Sequence, residues 1–222
     1  MATAMSQIEF SPEIKVSEPT KKYPNISARD FAAILGKDLY DDAWKLLEKK
    51  VEGKHKFFGN EHTKRGIELE PEAIKVYEFI TQNTVKSDLP TTSNKEYPFI
   101  RGRPDGITQN KCLVEIKSPK KKRTNQVKPE DISPQYWMQM QVYMEMYDLE
   151  VGHYVEYYKE DKNPDTADLN YCAVVRDRTW WKNSIPKIHR FYDEIKYFTD
   201  LGSLDTHPVR EMMKKWEKIS FQ

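Results

Sequence analysis

The chain has 222 residues, with 36 Lys plus Arg against 35 Asp plus Glu and a formal net charge of +1, so any basic surface must be local rather than global. Apolar and aromatic residues are spread along its whole length, which excludes disorder despite a charged fraction of 32%. No apolar run approaches the roughly 20 residues needed to span a bilayer, and the amino terminus lacks the order of a signal peptide, so an intracellular globular protein is expected.

No Gly-, Ser- or Pro-rich stretch divides the chain, so residues 1–20 read as an irregular arm and residues 21–222 as one domain. Ser27 followed by Asp30 reads as a capping box opening a short helix that stops at Gly36. A second helix is expected from Asp41 to about Val51, and a third from about Glu61 to Thr81. In that third helix Ile67, Glu70, Ile74 and Tyr77 fall on one stripe, and Pro71 is expected to kink it or mark its first turn. Tyr97–Arg103, a Pro104-Asp105-Gly106 turn and Lys111–Lys117 read as a β-hairpin. A lysine-heavy loop over residues 118–133 leads into a helix from about Pro134 to Tyr147. Two strands follow at His153–Lys159 and Leu169–Val175, and the last third is helical, with a final amphipathic segment from Val209 to Ile219. Cys112 and Cys172 lie in strand-like runs and read as buried fillers, not as a disulfide or zinc ligands. The expected architecture is mixed α/β: a central sheet of four or five strands flanked by helices.

Side chains alternate along a strand, so Leu113, Glu115 and Lys117 share one face and Val114 and Ile116 the other. The hairpin brings Asp105 beside Glu115, two hard oxygen donors suited to Mg²⁺ or Mn²⁺. Such a cation polarises a phosphate oxygen, and the Lys117 ammonium orients water or offsets charge developing on phosphorus. A surface hairpin with an ion pair across one face is the plain structural alternative.

With nine residues between them, Asp105 in Pro104-Asp105-Gly106 and Glu115 in Glu115-Ile116-Lys117 make a pattern that resembles the signature of the PD-(D/E)XK nuclease superfamily, with its restriction-endonuclease-like core. Gly66-Ile67-Glu68-Leu69-Glu70 and Trp137-Met138-Gln139-Met140-Gln141-Val142-Tyr143 are similar to the upstream and downstream motifs of the phage lambda exonuclease branch, the viral recombinase or alkaline exonuclease family. The resemblance implies that Glu70 joins Asp105, Glu115 and the Ile116 carbonyl around Mg²⁺, that Gln141 reaches the site, and that Gln139 points elsewhere. It also implies a 5′-to-3′ exonuclease acting on double-stranded DNA in recombination or replication-intermediate processing, able to form a trimeric ring, with a single-strand annealing protein as a partner. The segment Lys22 to Arg29 resembles the part of the family that receives the DNA 5′ phosphate, with Lys22, Ser27 and Arg29 as its contacts.

A helix amino end flanked by Lys22 and Arg29 makes an anion site on physical grounds too, the alternative being a plain capping box. Lys120, Lys121, Lys122 and Arg123 follow the catalytic strand and are expected to track phosphates, the alternative being a solvated loop. Glu70 as an exposed helix residue and Gln141 as a core cap remain open, as do endonuclease action, RNA cleavage and a binding module with a decayed site.

Overall fold

The structure, a computed structural model, describes residues 23–54, 59–160 and 163–213. The expected arm over residues 1–20, Lys22 and the end of the expected terminal segment lie outside these; its described part is helical over residues 208–213. No helix among the described residues is long and apolar enough to cross a membrane.

Helices flank a five-stranded mixed sheet, as the mixed α/β expectation has it, and a second, smaller sheet that the sequence did not announce. The larger has five strands in the order β2 (Val85–Lys86), β5 (Gly106–Thr108), β6 (Cys112–Lys117), β7 (Val151–Glu160), β8 (Asn163–Val175). It is mixed: β6 and β7 run parallel, while the other neighbours are antiparallel. Helix α4 (Pro134–Tyr147) makes the crossover between β6 and β7, which parallel pairing demands. A smaller sheet of three strands has β4 (Ile100–Gly102) between β1 (Ile26–Ser27) and β3 (Thr92–Ser93).

The expected hairpin is therefore displaced. Tyr97–Arg103 supplies β4 to the small sheet, and the hairpin is β5 with β6, Gly106 pairing with Val114. Pro104 lacks the N–H a ladder needs, so the chain leaves one sheet and enters the other there. Gly106 sits where a Cβ would come 2.3 Å from Val85 Cγ1, so the entry strand tolerates no side chain at that point.

Alternation along β6 splits the interior. Val114 and Ile116 pack with Val155 and Tyr157 under Ala73, Ile74 and Tyr77 of α3 (Glu61–Thr81). Leu113 and Tyr154 face the larger core, built with α4, α1 (Asp30–Ile34), α2 (Ala43–Glu52) and α5 (Arg178–Leu201). Each fully buried aliphatic side chain there contributes roughly 1.5–3 kcal/mol. Trp181 belongs to this core, stacked on Phe31 at 5.9 Å.

Helix α3 starts where Asn60 accepts the Thr63 N–H at 3.0 Å, and it runs on through Pro71. Its second half covers the sheet, while the first half touches it through Leu69 and through Arg65, which donates to the Lys159 carbonyl of β7. Ile67, expected on the buried stripe, is 67% exposed because the first half lines a cleft instead. The capping box is half formed: Asp30 accepts the Ser27 N–H at 2.7 Å, but Ser27 lies in β1 and Arg29 occupies the cap position of α1. The pull of the parallel partner β4 on Ser27 overrides the local cap.

Candidate active site

The cleft opens where β6 runs out, between the first half of α3 and the first turns of α4, with a volume of about 620 Å³. Asp105 stands immediately before β5, and its Oδ2 accepts the Ile116 N–H at 2.7 Å. That bond replaces the ladder contact β5 is too short to make, and it fixes the Asp105 carboxylate beside β6. Glu115 is wholly buried; Oε1 pairs with Lys117 Nζ, while Oε2 has no hydrogen-bond partner. Burial, reinforced by the charge of Asp105 and opposed by Lys117, pushes the Glu115 carboxyl up to about 7. Burial also presses the Lys117 ammonium downward, but the charges of Glu115 and Asp105 outweigh it and hold Lys117 above its ordinary range.

A buried carboxylate oxygen without a partner, beside a second carboxylate, costs free energy unless a cation or a proton joins it. Ser118 Oγ and Gln135 Oε1, on residues lining the same cleft, are likewise buried without partners. This donor set fits a hard divalent cation between Asp105 and Glu115. Ile116 lines the cleft with Asp105, while Glu115 lies buried behind it, and among the described residues no three Asp, Glu, His or Cys side chains gather into a ligand group. Glu70 lines the cleft from α3 without closing that group; burial first, then the charge of Asp105, raises its carboxyl.

Gln139, not Gln141, reaches the cleft. The Gln141 side chain donates to the Val175 carbonyl at 2.9 Å and accepts the Asp177 N–H at 2.7 Å, tying α4 to the end of β8 and the start of α5. The two side chains are about 200° apart around the helix, so only one can face the site. The face is set by where β8 hands over to α5, which no local pattern reveals. Gln139 donates to Tyr143 Oη at 3.3 Å, one turn along. Exchanging Gln141 for Leu strands two partly buried backbone groups and is expected to lower unfolding stability by about 1–2 kcal/mol, with Gln139→Leu costing less; urea titration followed by circular dichroism reads both.

Beside the cleft is a second pocket of about 380 Å³ lined by Ser27, Arg29, Arg101 and Arg103, with Gly102 and Tyr143 behind. Arg29 lines both cavities. Arg101 Nε is buried without a partner, as a guanidinium awaiting an anion would be. Arg101 and Arg103 flank Gly102 on and just beyond β4; the alternating charge of Arg-Gly-Arg ahead of Pro104-Asp105 was the available sequence signal.

Arg123 is not free for phosphate. Nε and Nη2 hold both carboxylate oxygens of Glu156 at 2.7 and 3.0 Å, and Nη1 lies 3.5 Å from Asp131. Glu156 lines the cleft, so Arg123 pins the loop after β6 to its wall. The net balance of charge hid this, because an ion pair to a strand 33 residues away leaves no local trace. Lys120, Lys121 and Lys122 are exposed beyond Pro119, with Lys120 near Glu61 at 3.5 Å and Lys122 near Asp168 at 3.7 Å.

Residues 20–150 match the YqaJ-like viral recombinase domain. The fold is similar to that of LHK-Exo, an alkaline exonuclease from Laribacter hongkongensis, with a TM-score of 0.65 and 21% identity over 90% of this chain and 96% of that one. A structure of LHK-Exo in complex with dAMP gives 0.65 and 22%, covering 82% and 92%. A phage related exonuclease from Haemophilus somnus 129PT gives 0.60 and 18%, covering 81% and 95%. At these identities the likeness establishes the fold. Among curated proteins no sequence matches significantly.

Proposed function

Because the chain belongs to the YqaJ-like viral recombinase family, we propose that it is a Mg²⁺-dependent deoxyribonuclease that resects double-stranded DNA from a 5′ end. The observation that carries this reading is a fully buried, half-unpartnered Glu115 that feels the charge of Asp105, with Asp105, Ile116 and Lys117 lining an open cleft. Asp105 and Glu115 would hold the cation, with the Ile116 carbonyl and Glu70 as further oxygen donors from residues lining the cleft. When bound, that cation supplies Lewis-acid polarisation of phosphate oxygens, and Mn²⁺ substitutes for it.

The side chains then divide the work. Lys117 faces the developing phosphate charge with an ammonium that stays protonated. Gln139 offers a neutral amide at the α4 wall. Arg29, Arg101 and Arg103 bind a terminal phosphate next to the reacting one, which would favour ends over internal positions. The exposed Lys120, Lys121 and Lys122 add non-specific attraction for the backbone. Duplex DNA is the substrate on this reading, a trimeric ring the assembly, and a single-strand annealing protein the companion in recombination.

Digestion of linear 5′-phosphorylated, linear 5′-hydroxyl and covalently closed circular duplexes tests the proposal. With Mg²⁺ the phosphorylated linear form is expected to disappear fastest and the closed circle to persist, and EDTA to stop all cleavage. Circles cut as fast as linear DNA would make the protein an endonuclease, and preferential loss of an RNA duplex would change the substrate class.

A further inference from the structure

Lys117 has two neighbours of opposite character. One is Glu115 Oε1, which pairs with its ammonium; the other is the face of the Tyr136 ring, whose centroid lies 4.6 Å from Nζ. We propose that Tyr136 is a positioning residue whose ring keeps the Lys117 ammonium in the cleft once a divalent cation occupies the acidic pair. This rests on the reading of Asp105 and Glu115 as cation ligands.

Two positive charges cannot share Glu115 on equal terms. A cation on the free Oε2 of Glu115 draws negative charge away from the Oε1 that Lys117 leans on, and its own charge repels the ammonium. Lysine has a flexible four-carbon stem, so an ammonium losing its anchor swings toward solvent. Glu156, opposite Lys117 in the strand register, offers no replacement, since Arg123 already holds both its oxygens. The Tyr136 ring attracts the ammonium through its quadrupole, carries no charge for the cation to claim, and so survives loading intact.

The ring is also fixed in place. Tyr136 sits in the first turn of α4, its N–H donating to the Ser133 carbonyl at 2.9 Å, and its ring stacks on Tyr154 at 6.3 Å and 24°. Tyr154 lies beside Glu115 in the β6–β7 ladder, so one strand pair carries the acid and the ring's support together.

The test uses the full chain labelled with ¹³C-lysine, with Lys117→Arg assigning the resonance. The Lys117 ε-protons are expected upfield of the other lysines, displaced by the ring current, and to remain there on adding Mg²⁺. In Tyr136→Phe the displacement persists; in Tyr136→Leu Mg²⁺ moves them to the position of exposed lysines. On linear duplex DNA Tyr136→Leu lowers kcat about tenfold with KM little changed, and Tyr136→Phe recovers most of that loss. A wild-type protein that cleaves DNA but loses the upfield shift when Mg²⁺ binds overturns the positioning role, whatever the variants do. So does Tyr136→Leu raising KM at constant kcat, which would make the ring a contact for DNA. No response of Lys117 to Mg²⁺ together with no cleavage by the wild type would instead remove the cation reading, and this proposal with it.

Discussion

Glu115→Gln is expected to lower the cleavage rate about 10³-fold or more while the fold and DNA affinity are kept, because one charged ligand disappears without a change of volume. The same variant should change how stability responds to pH in the cation-free protein. In the folded wild type the carboxyl titrates near 7, against an ordinary value of 4.5. The folded state therefore holds the proton more tightly than the unfolded one. Its stabilising effect is complete below about pH 4.5 and is lost as pH rises through about 7, a change on the order of 3 kcal/mol. Urea unfolding in EDTA across that range should show the decline in the wild type and its absence in Glu115→Gln. At pH 8, Mg²⁺ should restore stability to the wild type only, by binding the folded state. A variant that cleaves at the wild-type rate, or keeps the same pH slope, would remove Glu115 from the site.

Gly102→Ala should damage both the fold and the recognition of a phosphorylated end. A Cβ on Gly102 would stand 2.6 Å from Tyr143 Cε1 and 3.4 Å from Cδ1. The strand cannot yield, being the centre of its sheet, so the strain falls on Tyr143, 5% exposed at the back of the pocket. The ring must turn, carrying its contact with Gln139 and reshaping the back of the pocket that Arg101 and Arg103 flank. Overpacking of this kind costs about 1–3 kcal/mol. Thermal unfolding should show the loss of stability, and the preference for 5′-phosphorylated over 5′-hydroxyl DNA should weaken. Wild-type stability together with wild-type discrimination would mean that Tyr143 has somewhere to go.

What the sequence made legible follows the reach of the interactions involved. Helices α3 and α4 are readable to the residue because their limits are local: Asn60 caps one and Pro134 opens the other. The alternation that sets Glu115 and Lys117 on one face is equally local. The small sheet is not readable, since β1 and β3 are two residues long and exist only through their pairing with β4. Without that sheet, Arg101 and Arg103 looked like the first arm of a hairpin, and their convergence with Arg29 stayed hidden. Gln141 was preferred to Gln139 because motif likeness does not say which side of α4 meets the cleft. Arg123 was grouped with the lysines by adjacency, although its partner lies on β7.

The bond from Asp105 to the Ile116 N–H spans a hairpin whose tip is only residues 109–111. That makes the separation of the two acids a matter of parity. One residue inserted at the tip and passed on as a slip of β6, rather than absorbed in the turn, would rotate every later side chain of β6 to the opposite surface, delivering an aliphatic group to the cleft and Glu115 into the apolar layer under α3. Lengthening by two preserves the arrangement. Chains that keep this chemistry are thus expected to differ in hairpin length by even steps, unless a bulge restores the phase.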